Sequence, residues 1–404
     1  MQRAIPTPAA ASGLLLAIAY LGFISLGLPD AVSGVAWPSV RESFELQQSS
    51  LGLVFIAASF GYFISSFFTG RLLKLVSIGL LLAVSSSFVA ASGFGYALSR
   101  FWAIFLACAV LHGLGSGAID AGLNNFVAHH FSARHMNWLH ACYMLGATLG
   151  PLLMTAVLTQ SGSWRAGYAA IGSVMLLLSL LFIFTRRRWG PPSKDDDSTA
   201  VRSETMAATL RLPALWPQIA IFFLYTGLEV TIGGWAFTLL SESRGVPPAT
   251  AGMWVTAYWG SIGIGRVLFG FVVERVGIDG LLRGSMLVAV AGCLLLATPS
   301  LGIGSNFALV LIGLALAPIY PCLMTRTPER FGAGYAAHAI GFQVSTAMIG
   351  AAAMPALAGV IAGAYGLSWI PTTAVAMASV ILALHEILLW IPPTNTYSTA
   401  RNSS

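Results

Sequence analysis

The stretch Gly270-Phe271-Val272-Val273-Glu274-Arg275-Val276-Gly277 stands 200 residues after Gly70-Arg71-Leu72-Leu73-Lys74-Leu75-Val76-Ser77, and each is flanked by long apolar runs. The same offset of 200 pairs Gly27-Leu28 with Gly227-Leu228, Gly52 with Gly252, and Gly113-Leu114 with Gly313-Leu314. It also pairs Ile119 with Ile319, Phe131 with Phe331, Gly150 with Gly350 and Met154 with Met354. Chance identities are common in a biased composition, so the weight rests on the ungapped series of glycines. The chain reads as two copies of one unit.

What each copy is made of follows from composition. Hydrophobic residues make up 57% of the 404 and charged residues only 8%, with a mean hydropathy of +0.81. Soluble domains hold roughly 45–50% apolar residues, so this chain is read as a membrane protein. A helix needs about 20 apolar residues to cross the hydrocarbon. Charged or Pro/Gly-rich joints divide the chain into twelve such segments, at 12–35, 48–69, 73–95, 100–126, 137–160, 164–185, 214–240, 250–273, 280–299, 303–325, 336–363 and 368–391. The first run is read as a retained helix, because it continues past Asp30 with neither a small-residue cleavage site nor a charged leader beyond Arg3. The stretch from Arg186 to Arg211 is the least hydrophobic interior segment and separates six spans from six. The expected fold is an all-α membrane protein of twelve transmembrane helices in two six-helix pseudo-symmetric halves. Its domains are 1–185, a cytoplasmic linker at 186–212, and 213–404.

The net charge of +6 does not point to nucleic acid, because of where the charge lies. With the N-terminus inside, Arg3, Arg71, Lys74, Arg134, Arg186, Arg187, Arg188, Lys194, Arg202, Arg211, Arg275, Arg283, Arg326, Arg330 and Arg401 fall on the cytoplasmic side. Only Arg41, Arg100, Arg165 and Arg244 fall opposite. That asymmetry places both termini in the cytoplasm. The four cysteines lie inside spans without ligand-like spacing, so neither a disulfide framework nor zinc is expected. No cofactor is expected, and no H-E-x-x-H, G-x-S-x-G or phosphate-binding glycine motif suggests an enzyme.

Three carboxylates, Asp30, Asp120 and Glu229, lie within apolar spans. An ionised side chain at the bilayer centre costs at least ~2.5–3.5 kcal/mol, so such residues face protein or water and mark a pathway. On span 4, His112, Ser116, Asp120 and Asn124 recur at four-residue steps and share one face. Pro29 removes a backbone donor beside Asp30 and is expected to bend or loosen span 1 there. For Glu229 two readings stand: a salt bridge with Arg266 of span 8, or membership of the titrating set. Asn137, His140 and Tyr143 form a polar face on span 5, and spans 7, 8 and 11 supply Trp235, Trp259 and Gln343. Aromatic faces with a few amides suit a sugar-like ligand, and aromatics also anchor helices at the interfaces. These residues, with Ser116, Asn124 and Asn125, are the candidate substrate contacts.

Two six-helix halves about an axis along the membrane normal describe the major facilitator architecture, whose halves rock around a central substrate. Gly270–Gly277 resembles the G-x-x-x-[D/E]-R-x-G loop of that superfamily, while the first-half copy keeps only the leading Gly and its position. The resemblance implies a conformational role for Gly70, Gly270, Glu274 and Arg275. A Gly there lets a helix end turn sharply, and the charged pair would latch helix ends; Arg266 is counted with this gating set.

Within the superfamily, the chain is similar to the fucose:proton symporter family. Asp30, Pro38 and Phe44-Glu45-Leu46 resemble that family's first helix, and Leu114 to Phe126 its L-G-x-x-E-x-x-x-N-x-F pattern. The resemblance implies proton coupling and sugar recognition at Asp30 and Asp120, and places Asn137-Trp138-Leu139-His140 at the family's N-x-x-Q sugar-binding segment. Departures are Asp120 for Glu, His140 for Gln, and Gly27 and Pro29 where amides precede the Asp. A further segment, Gly146-Ala147-Thr148-Leu149-Gly150-Pro151, is similar to the G-x-x-x-G-P motif of drug:proton antiporters.

The leading expectation is therefore a monomeric transporter in a bacterial inner (plasma) membrane, working by alternating access. Its partners are the lipid bilayer, a small solute such as a sugar, and a proton, with Asp30, Asp120 and Glu229 as coupling candidates. Proton-coupled efflux is the alternative, and a receptor that binds without translocating is a third reading.

Overall fold

The computed structural model describes residues 9–131, 133–190 and 205–392. Among them there is no strand, and twelve helices are long and apolar enough to cross a membrane. In order these are span 1 (Gly13–Ser43), span 2 (Gln48–Leu75), span 3 (Ile78–Leu98), span 4 (Trp102–His130), span 5 (Arg134–Ser161) and span 6 (Trp164–Arg188). Then follow span 7 (Leu215–Ser243), span 8 (Pro248–Val276), span 9 (Ile278–Leu296), span 10 (Ile303–Phe331), span 11 (Gly334–Tyr365) and span 12 (Trp369–Trp390). The twelve helices fall where the hydropathy reading puts them but differ at their ends. Span 1 runs to Ser43 instead of 35, span 2 to Leu75 instead of 69 and span 10 to Phe331 instead of 325, and span 3 begins at Ile78 instead of 73. In span 1, polar residues 39, 41, 42 and 43 lower the hydropathy without breaking the helix. Arg3, Lys194, Arg202, Arg401 and the centre of the 186–212 segment lie outside the described residues.

Two compact units form: Met1–Val32 with Phe60–Asp195, and Ser33–Ser59 with Asp196–Ser404. Spans 1 and 2 thus each divide partway along their length. The division in span 1 coincides with the Pro29 break, where helix Ala9–Asp30 ends and a second helix, Ser33–Ser43, begins. The two intervening residues form a turn, with Val32 N donating to the Pro29 carbonyl at 3.4 Å.

Two of the repeated glycine pairs, Gly27 with Gly227 and Gly150 with Gly350, are crossing points. In the first unit Gly27 lies against the Tyr143 carbonyl, Gly146 against the Ile24 carbonyl and Gly150 against the Leu28 carbonyl, so spans 1 and 5 meet backbone to backbone. In the second unit Gly350 lies against the Phe223 carbonyl and Gly227 against Met354, which is the same crossing between spans 7 and 11. Lipid offers helices no hydrophobic reason to associate, so packing through small residues carries the contact. Within the second unit, the distal half of span 1 also sits on span 7, with Gly34 against the carbonyls of Gly233 and Gly234. The start of span 2 sits on span 11, with Gly52 against Ala356.

Candidate functional site

The span 1–span 5 crossing builds the first part of the site. Tyr143 touches Gly27 through its carbonyl, and its hydroxyl donates to Asp30 Oδ2 at 3.0 Å. His112 Nε2 stands 2.8 Å from Asp30 Oδ1. Its other ring nitrogen is buried without a hydrogen-bond partner among the described residues. One proton lies between imidazole and carboxyl in either arrangement: the ring donates to a carboxylate, or a carboxylic acid donates to the ring.

Two helical turns further along span 4, Asp120 Oδ2 accepts from the Tyr62 hydroxyl at 2.5 Å. Asn124, one turn on, donates to Asp120 Oδ1 at 2.9 Å and to its backbone carbonyl at 3.0 Å. No cation is paired with Asp120 among the described residues; its hydrogen-bond donors are neutral. Tyr62 lies within electrostatic range of both carboxylates. Spans 1, 2, 4 and 5 thus bring Asp30, Tyr62, His112, Asp120, Asn124 and Tyr143 into one polar cluster. Asp30, Tyr62 and Asp120 are all near the middles of their spans. A mid-membrane carboxyl is retained only where it faces protein or water, and here each faces directed donors.

Glu229 and Arg266 face each other in the second unit at 4.0 Å, the outer limit of an ion pair. Tyr258 ties span 8 to span 7 by donating to the Glu229 backbone carbonyl at 2.9 Å.

The remaining sequence candidates are dispersed. Ser116 is buried, with its hydroxyl unpartnered among the described residues, and Asn125 accepts from His129 Nδ1 through its backbone carbonyl at 2.7 Å. The side chain of Asn137 lies outside the described residues. His140 is exposed and meets the Phe23 ring edge-on, centroids 5.5 Å apart. Trp235 is fully buried and donates to the Pro355 carbonyl at 3.0 Å. Gln343, also fully buried, donates to the Thr327 hydroxyl at 3.0 Å, where Gln218 donates too at 3.1 Å. That junction joins spans 7, 10 and 11. Trp259 is buried, and its indole nitrogen has no partner among the described residues.

In the motif regions, Gly70 and Gly270 are helical, exposed and open on their Cβ side. The sharp turn falls instead at Gly277, whose φ of 76° ends span 8. Gly277 corresponds to Ser77, whose hydroxyl accepts from Leu80 N at 3.4 Å to cap span 3. Glu274 and Arg275 are exposed and form no ion pair among the described residues. The ion pairs nearby are others: Arg326 with Asp279, Arg326 with Glu329 at 2.7 Å, and Arg283 with Glu386 at 2.6 Å.

Sequence reasoning misses Tyr62, Tyr225 and the Asp279–Arg326 pair. A tyrosine in an apolar span reads as an interfacial anchor; only its position at the middle of span 2 marks Tyr62 as an internal donor.

Twelve membrane-crossing helices, together with the family that the chain matches, make this a membrane transporter of a small-molecule solute and not an enzyme. The chain belongs to the Major Facilitator Superfamily, whose model matches residues 19–352 and again 219–403. Among curated relatives, it is 24% identical to the Bypass of stop codon protein 6 of Saccharomyces cerevisiae, over 86% of this chain and 77% of that one. It is likewise 24% identical to the glucose/mannose transporter GlcP of Bacillus subtilis, over 76% of this chain and 78% of that one. Among solved structures, the nucleoside transporter NupG aligns with a TM-score of 0.70 at 14% identity, over 95% of this chain and 99% of that one. FucP in the outward conformation aligns with a TM-score of 0.61 at 19% identity, over 94% and 99%.

Proposed function

We propose that the protein is a proton-coupled symporter of a sugar or similar small polar solute, working by alternating access, with both termini cytoplasmic. The observation that carries the coupling is the cluster around Asp30 and Asp120. Two carboxyls near mid-membrane, held by tyrosines, an amide and one imidazole, lack a permanent counter-charge among the described residues. Their charge is balanced by taking up protons, and the bonds to Tyr62, His112 and Tyr143 hold them in position to do so. The sugar assignment draws on the glucose/mannose transporter relative and on the aromatic rings of the second unit.

Alternating access draws on the division of spans 1 and 2. Ser33–Ser59 packs with spans 7 and 11, while the rest of both helices packs with the first unit. The Pro29 break is the joint between these two allegiances. The contact is tied by Arg41 donating to Glu242 at 3.0 Å and Gln48 donating to the same carboxylate at 2.6 Å. We assign this contact as the outer latch. Since the Arg41 and Glu242 side chains keep 30% and 27% of their surface, their pair contributes about 1 kcal/mol or less. Val35 is fully buried in the same short helix, and a cysteine there reports its opening. Glu242→Ala is therefore expected to speed thiol labelling of a Val35→Cys variant by up to ~5-fold, measured in a background without the four native cysteines. Labelling unchanged by Glu242→Ala removes the ion pair from the latch.

Export finds no separate support. The Gly146–Pro151 segment is accounted for by the crossing of span 5 on span 1. The functional reading is tested by uptake of labelled D-glucose, D-mannose, D-galactose and L-fucose into proteoliposomes with an inward proton gradient. Accumulation of at least one, abolished by a protonophore, supports it; gradient-independent equilibration counts against coupling.

A further inference from the structure

The second unit repeats the helices of the proton cluster but not its chemistry. At the offset of 200, Asp120 corresponds to Tyr320, His112 to Ile312 and Ser66 to Arg266. Where the first unit has two carboxyls and an imidazole, the second has one carboxylate, one permanent cation and aromatic rings.

These groups line up on one helical face. Phe222, Tyr225, Thr226, Glu229 and Gly233 follow one another at short helical steps along span 7. Glu229 sits at the midpoint of Leu215–Ser243. The Tyr320 ring stands over Phe222 and Tyr225, with centroids 5.0 and 6.1 Å away. The Trp259 indole lies against Gly233, where any side chain would strike the ring. Arg266 completes the group opposite Glu229 at 4.0 Å, and the pair is not sealed: 21% of the Arg266 side chain and 10% of the Glu229 side chain remain accessible.

Three polar atoms in this group are buried without a hydrogen-bond partner among the described residues: the Tyr225 hydroxyl, the Thr226 hydroxyl and the Trp259 indole nitrogen. The Tyr225 hydroxyl stands within loose reach of both the Glu229 carboxylate and the Arg266 guanidinium, short of hydrogen-bond geometry with either. Buried polar groups in native proteins are almost always satisfied, and several orphans beside a loose ion pair describe a site whose partners arrive with a ligand. The required chemistry is specific. Glu229 offers acceptors only, Trp259 and Arg266 donors only, and Tyr225 and Thr226 either, set around aromatic faces. A neutral ring bearing adjacent hydroxyls, each both donor and acceptor, meets all of these and packs its CH face on Tyr320 or Trp259. An anion would be set against Glu229 and a cation against Arg266.

We infer that Tyr225, Glu229, Trp259 and Arg266 form the solute-recognition site, that its ligand is an uncharged polyhydroxylated ring, and that Glu229 is a hydroxyl acceptor and not a proton carrier. The inference rests on the sugar reading above and deepens it: protons are handled in the first unit and the ring is recognised in the second. Arg266 stands opposite Glu229 as a fixed counter-charge, and the carboxylate oxygens accept hydrogen bonds from the ring hydroxyls.

The test is equilibrium binding of labelled D-glucose, D-mannose, D-galactose and L-fucose to the purified full-length protein, with thermal melting of the same samples. Tyr225→Phe deletes one oxygen that lacks a hydrogen-bond partner among the described residues. It should leave melting unchanged or raised while increasing Kd for the bound hexose about 3- to 10-fold. Glu229→Gln should raise Kd about tenfold or more, by the same factor from about pH 6 to about pH 8. Tyr225→Phe with lowered melting and unaltered Kd makes the hydroxyl structural and overturns the inference. A Glu229→Gln effect confined to one end of the pH range, or none while the wild type binds, overturns it and leaves the transport reading intact. A wild-type protein that binds none of the four sugars overturns the sugar reading and this inference together.

Discussion

Replacing Asp120 by Asn is expected to abolish proton-driven accumulation while leaving solute exchange across the membrane in place. The amide keeps the shape of the carboxyl and still accepts from Tyr62 through its oxygen, so the 2.5 Å contact has a neutral successor. It loses the ability to take up and release a proton, and its NH2 replaces the oxygen that accepts from Asn124, whose amide must turn over to accept in its place. With one proton per solute, a pH gradient of about two units supports accumulation of ~100-fold, since each tenfold step corresponds to about 1.4 kcal/mol. The Asn variant should equilibrate to a ratio near one, with counterflow persisting. Loss of both counterflow and accumulation, in protein with wild-type melting, would mean that Asp120 serves translocation itself. Accumulation at the wild-type level would remove Asp120 from the coupling.

The second large effect is expected at the crossing of spans 1 and 5. A Cβ on Gly146 would overlap the Ile24 carbonyl, a backbone atom that moves only if the helix moves. Gly146→Leu should therefore cost roughly 3 kcal/mol and separate Tyr143 from Asp30, since the same contact positions both. The expected result is a sharply lowered yield of folded protein, with the melting transition of any survivor shifted down. Gly270→Ala provides the contrast. Gly270 is helical with open space at its Cβ position, so Ala there should leave folding unchanged or gain up to ~1 kcal/mol from helix propensity. Transport lost in well-folded Gly270→Ala would assign that glycine to the conformational change. Melting of Gly146→Leu at the wild-type temperature would show that the crossing tolerates separation, against the backbone contact between spans 1 and 5.

Much of this fold was legible because a bilayer leaves few alternatives. Apolar length sets the spans, and the glycine offset of 200 marks crossings that both halves need, such as Gly27 with Gly150 and Gly227 with Gly350. The polar face of span 4 was legible too, since four-residue spacing survives in any helix. What was not legible is rotation. Which span His112 faces depends on how span 4 sits against span 1, and its 2.8 Å approach to Asp30 follows from that packing alone. For the same reason, Gln343 and Trp235 read as cavity residues, whereas they face interhelical partners, Thr327 and the Pro355 carbonyl. Hydropathy ends span 1 at 35 because it fades past Trp37, yet the helix continues to Ser43. In the motif, only the final glycine bears a turn: Gly277 has positive φ and Gly270 does not.

Coupling requires that solute and proton move together. Recording external pH decides this, while D-glucose, or whichever hexose proves to be carried, is added to weakly buffered proteoliposomes without an imposed gradient. External alkalinisation should accompany uptake, disappear with a protonophore and be absent in Asp120→Asn. Hexose uptake at full rate with no pH change would contradict proton symport.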